Sequence, residues 1–194
     1  MRITRPCLTF FLLLFFVLPG KAQVSLRLSN GIRPAVEKVL GSYSENFRSI
    51  EGDTLSVTAN STVFNSTVKP EGAIECTLTK FWTNTRPDYS WKAIMFETDD
   101  FDVAVKKYST CYQQLKNTTI RSGHGNFKME GEFESTDNTK NFYSTIFTPA
   151  TSDPVLSRLR MEILLEGDMT IWKLSILVYE RIHDDKEGSI LNGK

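Results

Sequence analysis

Residues 159–181, LRMEILLEGDMTIWKLSILVYER, decide the fold class. Residues 159–166 and 169–181 are rich in β-branched and large apolar side chains, and Gly167 with Asp168 between them supplies turn chemistry. Apolar residues occupy both parities of each run, the pattern of a long hairpin buried over most of its length. A tight hairpin joins antiparallel strands, whereas parallel neighbours need a crossover of about a dozen residues or more. The C-terminal part of the domain is therefore read as antiparallel sheet. Past Ile182 the run Asp184, Asp185, Lys186, Glu187, Gly188 has no periodicity, so residues 183–194 read as a flexible tail.

Toward the N-terminus the same period of two recurs. Phe127, Met129, Gly131 and Phe133 alternate with Lys128, Glu130, Glu132 and Glu134, which places the acids in water. Asp137 and Asn138 then offer a turn before residues 141–148, suggesting a hairpin. Ile74, Cys76 and Leu78 alternate with Glu75, Thr77 and Thr79, and residues 89–97 repeat the pattern. Leu55, Val57 and Ala59 begin another strand.

Two segments change period. From Pro34, the positions Val36, Val39, Leu40, Tyr43, Phe47 and Ile50 fall three or four apart, predicting an amphipathic helix that Gly52 stops. Phe101, Ala104, Val105, Tyr108, Cys111, Tyr112 and Leu115 form a second stripe. Thr98 or Asp99 can cap it, and Asp100 and Asp102 place carboxylates at the positive end of its dipole. The order is thus helix, three strands, helix, then four or more strands, as though one helix-then-strands plan were used twice. One-sided elements must cover one another, which predicts an α+β fold: two amphipathic helices on one face of an antiparallel sheet of about six or seven strands.

The chain opens with Arg2 and Arg5 ahead of an uncharged apolar run over residues 8–18, ended by Pro19 and Gly20. That run is short for a membrane span of about 20 residues and fits a signal-peptide core of about 7–15. Small residues at Gly20 and Ala22 place the cut before Gln23. The expected organisation is a cleavable signal over residues 1–22, one domain over 23–182, then the tail. The product is exported, periplasmic or extracellular, with no membrane span after processing.

Loss of Arg2, Arg5 and Lys21 takes the charge from balance to three net negative. The sign is wrong for nucleic acid, and no basic cluster stands out along the sequence. Cys7 leaves with the signal, so Cys76 and Cys111 remain as an even pair in a compartment that permits disulfides. A bridge would contribute about 3–4 kcal/mol in the chain-entropy model. The other reading is two free thiols packed like small hydrophobes.

Catalytic groups are scarce. His124, in Ser122-Gly123-His124-Gly125, sits where glycines would let backbone approach a ligand, and His183 lies beside Asp184 and Asp185. No G-x-S-x-G, C-x-x-C or H-E-x-x-H occurs, so neither a metal, a cofactor nor a catalytic residue is assigned. Asn60, Asn65 and Asn117 begin N-x-S/T sequons, relevant only in a glycosylating host. Phe81, Trp82, Tyr89 and Trp91 crowd the link between two strands and, with His124, are the candidate recognition residues. The expected function is a non-enzymatic exported binding or interaction protein whose partner is a protein or a small apolar ligand. The alternatives are a small exported hydrolase using carboxylates or a Cys–His pair, and a structural assembly component of the cell envelope.

Overall fold

The computed structural model describes residues 31–83, 86–122, 125–137 and 139–181. The expected signal peptide, the tail, His124 and His183 lie outside them. The chain forms α1 (Ile32–Gly41), β1 (Glu51–Val57), β2 (Ser61–Ser66), β3 (Glu75–Phe81), β4 (Asp88–Thr98), α2 (Phe101–Leu115), β5 (Thr119–Ser122), β6 (Gly125–Glu130), β7 (Phe142–Pro149), β8 (Leu159–Asp168) and β9 (Ile171–Glu180). All nine strands join one antiparallel sheet in the order β1-β2-β3-β4-β9-β8-β7-β6-β5. Strand accounts for 47% of the described residues and helix for 23%. This corrects the α+β expectation of six or seven strands: the molecule is mostly sheet, nine strands wide, with two helices. Two strands escaped the sequence reading. β1 and β2 merged into one because β1 buries neither face, and β5 is four residues long in what reads as a loop.

α2 follows from its sequence. Asp100 is the cap, accepting from Val103 N at 3.1 Å, in place of Thr98 or Asp99, and Ala104, Tyr108, Cys111 and Leu115 are buried. α1 is shorter than its period suggests. It closes at Gly41, where Ser42 Oγ donates back to Val39 O at 2.6 Å. Two single 3-10 turns follow, at Tyr43–Glu45 and Arg48–Ile50, with Asn46 and Phe47 left-handed between them. Spacings of three and four let Tyr43, Phe47 and Ile50 reach the core from either geometry, so periodicity alone could not tell them apart. Gly41, Ser42 and Asn46 were the contrary signals. Gly52 is no helix stop: it lies in β1, and a Cβ there would stand 2.8 Å from Asn65 O.

The face under the helices is the core. Trp91, Ala93 and Met95 of β4, Met161, Ile163 and Leu165 of β8, and Leu174, Ile176 and Val178 of β9 meet Val36, Val39 and Leu40 of α1 and the stripe of α2. The β8–β9 hairpin forms as expected but turns later, through Met169 and Thr170, because Asp168 pairs with Ile171. Gly167 serves a different purpose. It lies opposite Trp172, whose ring would sit 3.1 Å from an added Cβ, and Trp172 packs on Phe101 at 4.8 Å. Glu130 and Glu132 face water as expected, whereas Glu134 accepts from Ser144 N at 2.6 Å and pairs with Lys140, clamping the following segment along β7.

Candidate functional site

Alternation sends every second strand residue to the face opposite the helices. Lys92, Leu177, Glu162 and Ile146 are successive cross-strand partners there, as are Ile94, Ser175, Leu164 and Ser144. Ile94, Leu164 and Leu177 are half-buried in the middle of this face, while Phe142, Ile146 and Ile171 are exposed at its margin. The two described helices pack on the other side, so no described helix covers these side chains.

The polar groups among them are held in place. Glu162 accepts from Ser144 Oγ through one oxygen and from Tyr179 OH at 2.9 Å through the other. Burial, followed by the bond to Glu162, pushes the Tyr179 hydroxyl up to about 12, so it stays a donor at neutral pH. Lys173 pairs with Glu97 at 3.4 Å and Lys92 with Glu166 at 3.6 Å. Apolar side chains interleaved with hydrogen-bonded and ion-paired groups make a mixed surface of the kind protein interfaces use.

The two ends of the face differ. Near the β8–β9 turn, Glu97, Glu166, Asp168, Met169, Ile171 and Lys173 line an open depression of about 700 Å³. At the other end, Pro154, Ser157, Arg158, Arg160 and Arg181 line one of about 250 Å³. The sequence showed no basic cluster because these arginines come from the turn before β8, from β8 and from the end of β9. Only the Arg-x-Arg spacing at 158–160 hinted at it.

The aromatic quartet is divided. Trp91 is fully buried on the core face, its Nε1 donating to Ser66 Oγ at 2.9 Å. Phe81 lies on the open face, paired with Ser61 and Asp88, and is exposed. Trp82 and Tyr89 flank the Lys80 ammonium, at 4.2 and 5.8 Å from their ring centres, and Tyr89 leans on Phe47. His124 lies outside the described residues.

Of the two readings of the cysteine pair, bridged or free, the structure has the second: Cys76 and Cys111 are free and buried, on β3 and α2. Burial pushes their thiols up to about 11 and about 12, which suppresses the nucleophilic thiolate. Among the described residues no group of three His, Cys, Asp or Glu side chains is placed to hold a metal ion. No described helix is long and apolar enough to cross a membrane. Compared with family models, curated proteins and solved structures, the chain matches none of them.

Proposed function

We propose that the exported domain is a non-enzymatic binding protein that takes a protein partner on the open face of its sheet. The observation that carries this reading is the trio Ile94, Leu164 and Leu177 on two adjacent cross-strand rows, apolar and half-buried with no described helix over them. Antiparallel sheets with one wet face normally place polar residues at such positions. Nine strands at about 4.8 Å spacing, crossed by about six residues of 3.3 Å, give roughly 800 Å², the share one partner buries in an interface of ordinary size. Both depressions on the face are open and rimmed by charge, which suits a broad contact better than an engulfed ligand. A photo-crosslinking residue in place of Leu177 is expected to trap one discrete partner in the host's exported fraction, and one in place of Gln113, exposed on α2, none. Trapping from Gln113 alone overturns the reading.

A second reading, an exported hydrolase, draws on the three carboxylates around the larger depression. Two of them, Glu97 and Glu166, already pair with lysines, and the site is open to water, which weakens electrostatic catalysis. The assembly reading needs an inviting edge. β1 instead has two register shifts and carries Glu51 and Asp53, features that discourage strand addition.

A further inference from the structure

We propose that the pocket walled by Arg158, Arg160 and Arg181 binds a phosphate group, free or as a monoester. This does not rest on the open face being a protein interface.

Four arginines gather at this end of the sheet, Arg86, Arg158, Arg160 and Arg181, and Glu180 is the carboxylate that Arg86 and Arg158 share. Glu180 pairs with Arg86 and, at 3.4 Å, with Arg158. Its side chain is 10% exposed, and Glu180 pairs with Leu159 on the core face, so it is not among the residues that line the pocket. Arg160 is held by its own backbone surroundings: Nη1 donates to Ser157 O at 2.7 Å and to Leu159 O at 2.8 Å. Its remaining N–H donors make no bond among the described residues. Arg181 is fixed through its backbone, whose N–H donates to Arg158 O at 2.9 Å, while its guanidinium has neither hydrogen bond nor ion pair among the described residues.

Two arginines with no carboxylate partner among the described residues therefore line one small space, and a third shares Glu180 with Arg86. Like charges brought together this way favour an anion between them. At about 250 Å³ the pocket falls below the range of drug-sized ligand sites, so it suits a charged group and not an entire engulfed molecule. Planar forks arriving from two chain segments, Arg158 and Arg160 from one and Arg181 from the other, match a tetrahedral oxyanion, since one fork alone satisfies a planar carboxylate. A phosphate also meets the pre-set orientation of Arg160, which lowers the ordering cost of binding.

The test is calorimetric titration of the exported domain with inorganic phosphate and with phenyl phosphate, using chloride at matched ionic strength as the control. Saturable binding that weakens as salt rises is expected for at least one of the two. Binding of both places recognition in the phosphate group itself, and binding of phenyl phosphate alone makes the ligand an ester. Arg160→Gln and Arg181→Gln are each expected to weaken binding by about tenfold or more, as loss of a charge-assisted bond does, and the double variant to abolish it. Arg181 is exposed, so Arg181→Gln should unfold at the wild-type urea midpoint and remain interpretable. No titration with either phosphate, the same response to chloride, or undiminished binding by the double variant would overturn the proposal. Crosslinking from Leu177 unchanged in Arg181→Gln separates this site from the protein interface.

Discussion

Gly167→Ala tests whether the β8–β9 turn lies where the structure places it. If Gly167 were a turn residue without side-chain neighbours, alanine would be tolerated and would stabilise by about 0.4–1 kcal/mol through the unfolded chain. The structure gives the opposite sign. The new methyl would meet Trp172 Cη2 at 3.1 Å and Cζ2 at 3.2 Å, and the indole cannot retreat without leaving Phe101 at 4.8 Å. Overpacking of this kind costs about 1–3 kcal/mol, so a net loss of up to about 2.6 kcal/mol, centred on about 1.3, remains after the entropic gain. With a urea m-value of about 1–3 kcal/mol/M, the unfolding midpoint should fall by roughly 0.5–1 M. Adding Trp172→Leu removes the obstacle, and in that background Gly167→Ala should cost nothing. A midpoint that rises in the otherwise wild-type chain would show that Gly167 is not packed against Trp172, as would an unchanged penalty without the indole.

Met169 carries the turn at φ 53 and is fully exposed, so Met169→Gly should raise the unfolding free energy by about 0.5–1 kcal/mol; a fall would contradict the left-handed assignment. Ser175 Oγ is buried with no hydrogen-bond partner, and Ser175→Ala is expected to be neutral or stabilising by about 1 kcal/mol in thermal unfolding. Cys76 and Cys111 should resist thiol reagents in the native state and react only in denaturant, with an unfolding midpoint that reductant leaves alone; a bridge would instead show a loss of about 3–4 kcal/mol. The hydrogen bond from Lys140, then that from Ser144 N, hold the Glu134 carboxyl below its usual range. Its folded pKa being the lower one, its contribution is complete above the ordinary carboxylate range and is lost as pH falls through the folded value. After solvent screening it amounts to at most about 1 kcal/mol, so Glu134→Gln should be less stable near neutrality and lose less on acidification; parallel pH profiles would count against the clamp.

What could be read beforehand follows from where each signal sits. α2 was legible because capping carboxylates and an apolar stripe agree over fifteen residues. The core faces of β3 and β4 were legible because Cys76, Leu78, Trp91, Ala93 and Met95 alternate without interruption. β1 was not, since Leu55 and Val57 are apolar yet exposed at a sheet edge, where alternation does not report burial. The turn of the last hairpin was displaced by two residues because Gly167 advertises a turn and is used for close packing. The arginine pocket was illegible for another reason: Arg158 and Arg160 meet Arg181 only once β8 and β9 pair, and linear spacing carries no trace of that. The aromatic quartet shows the reverse, four neighbours in sequence that pleating and a hairpin scatter over two faces and a rim.

The proposed recognition surface is the sheet face away from the helices. Its most direct measurement is the affinity of the crosslinked partner for Leu177→Arg against Gln113→Arg, by surface plasmon resonance. Leu177 lies between Lys92 and Glu162, so an arginine there puts charge in the middle of the face without entering the core. A loss of about a hundredfold for Leu177→Arg with wild-type binding by Gln113→Arg is the expected result, as a hot-spot residue would give. Unchanged binding by Leu177→Arg and loss in Gln113→Arg would move the interface to the helices and contradict the account.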